Sequence, residues 1–400
     1  MPVKISRRNG LTFLAVVLVV FVIILISFSA FFSLGATSSL DNSLSQTIRN
    51  SPVNDLTQLS LPPVIVSHQA TPKPLRAVYM SSWVAGNQEA RDKLLERLKG
   101  TSVNAIVIDV KDSSGKIVVK LDAPALAKYE SLASQVPDII EFVNELHQKN
   151  FYVIGHISVF EDNYLTRRRP DLAIQRLDNN QLWEDDKGMS WLDPSSQEVW
   201  DYAIAVAKEA YVAGFDELNF DYVRFPSDGK ISNMRFPYYD PNQKTKSEVI
   251  EGFFSYLHNQ VQNIGVPISA DIFGMATTNT DDLGIGQILE KISPYVDYIC
   301  PMVYPSSYPL NFRGIKRPAL APYQIIKLSL DSAVKRLTIQ GLPVEKLRPW
   351  LQDFNLGAVY TASMIKSEIK AVNGSGLDSW MMWDSSNKYT INAYRKTDAN

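Results

Sequence analysis

From Arg76 onward the chain alternates between short β-branched or aromatic runs and longer stretches whose apolar residues recur at helical spacing. The runs at 77–80, 105–110, 152–157, 217–223, 268–272, 298–303, 348–352 and 379–383 predict strands. Between them the spacing predicts helices over 88–98, 138–149, 197–213, 247–264, 284–291, 325–340 and 363–371. Asp193-Pro194-Ser195 marks a helix start, where the missing proline donor does no harm, and Gly214 marks its stop. Strands alternating with helices imply parallel pairing through right-handed crossovers, and eight strands close a barrel. The expected fold class is therefore α/β, a (β/α)8 TIM barrel over residues 76–390 with a C-terminal tail at 391–400. A doubly wound open sheet is the alternative, but no Gly-rich phosphate loop follows the first strand.

The polar pattern is most concentrated in GFDELNFDYVRFP, residues 214–226. Phe215, Leu218, Phe220 and Val223 read as wall residues, while Asp216, Asn219, Asp221 and Arg224 crowd polar groups toward one end. Desolvating a carboxylate and a guanidinium at the mouth of a buried strand is costly. Either a ligand site carries that cost, or a structural Asp–Arg pair staples the strand to its loop.

The pattern changes before residue 76. Residues 11–34 are uncharged and strongly apolar, long enough to cross a bilayer core of about 30 Å as a helix. Lys4, Arg7 and Arg8 precede them, so the positive-inside rule leaves residues 1–10 in the cytoplasm and the rest outside. A single-pass anchor in the cell membrane is the expectation, with a secreted protein following if the segment is a cleaved signal peptide. Residues 35–75, rich in Ser, Thr, Asn, Gln and Pro, read as a flexible linker.

Composition removes several function classes. A formal net charge of −2 speaks against a nucleic-acid partner. The single cysteine, Cys300, excludes an intramolecular disulfide and a Cys-rich metal site. His68, His147, His156 and His258 do not stand at zincin spacing, and no calcium-loop pattern occurs. No metal and no cofactor are expected.

A barrel of this kind builds its site at the C-terminal ends of its strands. In order, those ends offer Ser81, Ser82 and Trp83; Asp109, Lys111 and Asp112; His156 and Ser158; Asn219, Asp221 and Arg224; Asp271; Tyr304; Gln352 and Asp353; and Trp383 and Asp384. Acids combined with aromatic faces suit a sugar: carboxylates act at the anomeric carbon and flat rings stack on pyranoses. Trp83, Trp183, Trp191, Tyr304 and Trp383 are the candidate platforms, each with core packing as its plainer reading; Trp191 and Trp383 rank first. His156 either bonds a sugar hydroxyl or is a satisfied core histidine. The long stretch 158–193, with charge runs at 167–169 and 184–186, would shape the cleft.

Asp193-Pro194 with Glu198-Val199, then FDELNFDYVRFP, ISADIFGM, YICPMVYPSSY and LDSWMMWD, together resemble a bacterial (β/α)8 family classed with the glycoside hydrolases. The resemblance covers roughly residues 74–390 and implies a polysaccharide-type substrate. Chitinase-like barrels carry Asp-x-x-Asp-x-Asp-x-Glu on the fourth strand, whereas this chain has Asp216, Asn219, Asp221 and Val223 there. Valine in place of the proton donor argues against a substrate-assisted mechanism. Similarity to α-amylase-type barrels implies acids at strands four, five and seven, which Asp221, Asp271 and Asp353 fit, with Asp271 standing where a glutamate is usual. The expected catalytic pair is Asp221 and Asp271. Asp109, Lys111, His156, Trp191, Asn219, Tyr304, Asp353, Trp383 and Asp384 are expected to bind substrate, as is Arg224, which would also keep Asp221 ionised. A non-catalytic glycan-binding barrel at the cell surface is the alternative, and a carbohydrate deacetylase a third reading.

Overall fold

The computed structural model describes residues 66–395. The predicted anchor at 11–34 and most of the predicted linker lie outside them, and among the described residues no helix is long and apolar enough to cross a membrane. Eight parallel strands close a barrel: β1 Arg76–Met80, β2 Ala105–Lys111, β3 Tyr152–Ser158, β4 Glu217–Asp221, β5 Ile268–Phe273, β6 Tyr298–Met302, β7 Trp350–Gln352 and β8 Trp380–Trp383. Closure is made by β1, which pairs with β8 through Ala77 and Met381 and with β2 through Ala77 and Ala105.

Side-chain alternation splits the strands into two apolar layers. Val78, Met80, Ile106, Ile108, Leu218 and Phe220 face outward into the helices, whereas Ala77, Tyr79, Ala105, Val107, Tyr152 and Ile154 fill the barrel. The helices follow the same logic. In the helix Gln197–Val212, buried Val199, Tyr202, Ala203, Val206, Ala207 and Ala210 form one stripe at spacings of three and four. Gly214 ends that segment with φ 109°, a conformation that side chains strain to adopt.

The structure departs from the sequence expectation in several places. The fourth strand stops at Asp221 because Tyr222 turns at φ 54°. The seventh begins at Trp350, after Pro349, which lacks a ladder donor. The helix expected over 284–291 shrinks to Leu289–Ile292, since Leu283, Gly284 and Gly286 all take positive φ. Between β2 and β3, the short strands Ile117–Val119 and Leu132–Val136 extend the wall beside β2, pairing Lys111 with Ile117.

The ends of the domain are also more ordered than their composition implies. Gln69 N–H donates to Asp216 Oδ1 at 2.6 Å, the His68 ring stacks on Tyr211 at 3.9 Å, and Thr71 bonds the Tyr152 hydroxyl at 3.0 Å. Residues 66–75 are thus fixed at the N-terminal ends of β3 and β4 and are no linker. At the other terminus, Ser102 N–H donates to Tyr394 O at 2.8 Å, so the fold extends past the expected limit at residue 390.

Candidate active site

Strand alternation sends Glu217, Asn219 and Asp221 into the barrel at three heights. Glu217 lies at the floor, where Arg348 Nη1 donates to its two oxygens at 2.9 and 2.8 Å and the Tyr152 hydroxyl donates to Oε2 at 3.2 Å. Asn219 occupies the middle and donates to Asp271 Oδ1 at 2.9 Å and Ser269 Oγ at 3.1 Å. Asp221 stands at the mouth.

Register sets Asp109 beside His156 and His156 beside Asn219 on neighbouring strands. The Tyr79 hydroxyl donates to Asp109 Oδ2 at 2.6 Å, and Asp109 Oδ1 lies 3.0 Å from His156 Nδ1. On the far side of the ring, Nε2 is 3.5 Å from Asp221 Oδ2 and 3.9 Å from Asp271 Oδ2, and it has no hydrogen-bond partner. Asp221 Oδ1 accepts the Tyr222 N–H at 2.6 Å. Asp271 Oδ1 accepts both Asn219 and the indole N–H of Trp350, the latter at 2.8 Å. Both acids therefore anchor one oxygen in the protein and turn the other toward His156. One donor atom from each of His156, Asp221 and Asp271 lies within 4.8 Å of the others.

The surroundings separate the roles of these groups. Burial, reinforced by the neighbouring Asp221 charge, pushes Asp271 up to about 8, against the pull of His156 and the two hydrogen bonds. Burial would lower His156, but the hydrogen bond to Asp109 and the charges of Asp109 and Asp221 hold it well above the usual histidine range. With Oδ1 of Asp271 accepting two donors, its proton belongs on Oδ2, the oxygen that faces the cleft.

Two lobes meet at Asp221, Tyr222, Met302 and Tyr304. One, of about 350 Å³, is lined by Tyr79, Asp109, His156, Asp271 and Trp383; the other, of about 250 Å³, by Lys187, Arg224, Phe273 and Tyr308. Together they fall within the range of small-molecule clefts. Trp383 stacks on Tyr79 at 4.1 Å and keeps part of its surface free.

Of the residues named from the sequence, Asp109, His156, Asp221, Asp271, Tyr304 and Trp383 share one lobe, and Arg224 lines the other. Asn219 is fully buried and positions Asp271 without lining either lobe. Four expectations are corrected. Lys111 is buried against Asp162 Oδ2 at 2.9 Å and Ser158 O at 2.7 Å. Trp191 packs beneath Arg224, 4.6 Å from guanidinium to ring, with its indole N–H turned to Asp185. Asp353 is taken up by Thr390 N–H, Thr390 Oγ1 and the Tyr394 hydroxyl. Asp384 caps its own loop through Ser386 and Lys388. The expected Asp221–Arg224 pair is also not formed; the cation facing Asp221 is His156.

Two lining residues and one neighbouring acid escaped the sequence reading. Tyr79 could have been found by parity, since it faces inward two positions after Ala77. Tyr222 depends on a positive φ that a tyrosine does not advertise. Glu161 lies in the loop after β3, where burial foremost, and then the Asp221 charge, push it up to about 7 against the pull of Arg224.

Similar folds occur among solved structures. The glycoside hydrolase domain of PgaB (BpsB) from Bordetella bronchiseptica superposes with TM-score 0.59 at 13% identity, covering 80% of this chain and 98% of that one. The catalytic domain of β-amylase from Paenibacillus polymyxa gives 0.51 at 11%, covering 82% and 97%. A hypothetical protein from Ruminiclostridium thermocellum is 30% identical over 52% of this chain and 98% of its own, with TM-score 0.44. No curated protein matches the chain. The model of the family described as "Putative glycosyl hydrolase domain" matches residues 77–389, and the chain belongs to that family.

Proposed function

We propose that this protein is an exported, membrane-anchored glycoside hydrolase that cleaves O-glycosidic bonds of a polysaccharide with Asp271 as general acid/base and Asp221 as nucleophile. The observation that carries this reading is the pair itself: two acids on adjacent strands, within 4.8 Å of each other, one holding its proton near neutrality. A carboxyl kept protonated beside an ionised partner is the division of labour that glycoside cleavage needs. A purely glycan-binding barrel has no use for a second acid opposite Asp221.

Asp271 Oδ2 donates its proton to the departing glycosidic oxygen while Asp221 Oδ2 bonds to the anomeric carbon. Deprotonated Asp271 then takes a proton from water, whose oxygen releases the sugar from Asp221. His156, charged and backed by Asp109 and Tyr79, stabilises the Asp221 carboxylate between turnovers. The short separation supports retention of anomeric configuration, since inversion leaves about 6.5–9.5 Å between the carboxyls for a water. The apolar segment 11–34 supports the anchor.

The test is to convert Asp221 and Asp271 separately to Asn and assay cell-wall and storage glycans. Each variant should lose at least about a hundredfold in kcat, and the wild-type product should form with retained configuration by NMR. Undiminished turnover in both variants refutes the assignment.

A second reading rests on His156 Nε2, which has no partner and points between the two acids. His156, Asp221 and Asp271 could hold a divalent cation, and Asp109 behind the imidazole is the partner metal-bound histidines commonly have. The chemistry would then be metal-assisted hydrolysis, such as sugar deacetylation. Chelation decides between them: activity lost on exhaustive EDTA dialysis and restored by zinc favours the cation, and activity retained favours the carboxyl pair.

A further inference from the structure

The chemistry just proposed uses one lobe of the cleft. The other is built around Arg224, which is 7% exposed. Its guanidinium lies against three rings, 4.6 Å from Trp191, 4.7 Å from Phe273 and 5.4 Å from Tyr222. Nη1 donates to Phe225 O at 3.2 Å and Ser227 Oγ at 3.3 Å. Among the described residues, Nε and Nη2 meet no protein acceptor, and no carboxylate pairs with the group.

The other buried arginines differ. Arg91 pairs with Asp138 at 2.7 Å, and Arg348 pairs with Glu217 at 2.8 Å. A guanidinium stays charged at any working pH, so burying one whose N–H donors meet no acceptor is expensive unless a ligand supplies it. Lys187 lines the same lobe, is exposed and makes no ion pair among the described residues. Asp221 and Asp228 also line it and Glu161 lies near Arg224, so protein carboxylates already offset the two cations. What the lobe lacks is an acceptor for the remaining Arg224 donors, which suits a monoanion held by hydrogen bonds rather than a dianion. The aromatic faces fix the guanidinium plane and leave a flat edge of N–H donors, which matches a carboxylate.

We propose that this lobe is a subsite for a sugar bearing a carboxylate, so that the substrate is an acidic glycan whose charged unit lies next to the scissile bond. The proposal rests on the glycoside hydrolase reading, because the lobe adjoins the proposed nucleophile Asp221. Two kinds of sugar carry that group: hexuronic acids, and amino sugars with a lactyl ether such as muramic acid.

The test titrates the full chain carrying Asp271→Asn with oligogalacturonate, oligoglucuronate and muramic-acid-containing wall fragments. Each is supplied as free acid and as carboxyl-methyl ester. At least one free acid should bind about tenfold or more tighter than its ester, and the series showing that ratio identifies the source of the carboxylate. Lys187→Gln should lower the ratio about threefold, and Arg224→Gln should erase it. If Arg224→Gln does not fold, the acid-to-ester ratio and the exposed Lys187→Gln still decide. Equal binding of acid and ester in every series, or no binding of any acid, overturns the proposal. If the preference holds but the wild type cleaves no glycan, the subsite stands and the hydrolase reading falls. If neutral glycans are cleaved without preference, the reverse follows.

Discussion

Trp350 donates its indole N–H to Asp271 Oδ1 at 2.8 Å from a strand two places further round the barrel. The bond favours the charged carboxylate, and in its absence Asp271 would hold its proton more tightly still. Trp350→Phe should therefore move the alkaline limb of the kcat/KM profile to higher pH. It should also destabilise the fold by about 1–3 kcal/mol, through the lost bond and the smaller ring. A limb that moves down or stays would remove Asp271 from the general-acid role.

Asp271 also makes stability depend on pH. In an unfolded chain its carboxyl titrates near about 3.9, whereas the fold holds the proton up to about 8. Between those values the folded state binds the extra proton, so its contribution is fully present below about pH 4 and is lost as pH rises through 8. Asp271→Asn, neutral throughout, should gain stability relative to wild type progressively across that window. Denaturant midpoints at several pH values check the trend; a difference that does not vary with pH contradicts it.

At the floor, Arg348 and Glu217 form an ion pair with both side chains buried. Arg348→Met alone strands a buried carboxylate and should cost about 3–5 kcal/mol. Adding Glu217→Gln should recover most of that loss. Because the pair lies two layers below the mouth, the double variant should keep kcat/KM within about threefold of wild type.

Asp353 gives a contrasting case. Its oxygens are occupied by Thr390 and Tyr394, which close the C-terminal segment over β7 and β8. Asp353→Asn should lower stability by about 1–3 kcal/mol without a loss of turnover beyond about threefold. A large fall in kcat at unchanged stability would return Asp353 to the substrate.

The barrel was legible because alternation within eight runs and helical spacing between them are both dictated by burial. The same parity made Asp109, His156, Asp221 and Asp271 readable as a group, since each falls on the inward parity near the C-terminal end of its strand. Past a strand end that logic stops. Asp353 and Asp384 stand where the backbone has left the sheet, and their direction depends on loops that return from far along the chain. Lys111 and Trp191 failed for a related reason: their partners Asp162 and Asp185 lie in the 158–193 excursion, whose path no periodicity records. The strands at 117–119 and 132–136 escaped because one is three residues long and the other is mostly exposed.

His68, Gln69 and Thr71 are clasped at the closed end of the cylinder, while the cleft opens at the opposite pole. A tag or label joined just upstream of these residues therefore enters the domain far from the opening and leaves it unobstructed.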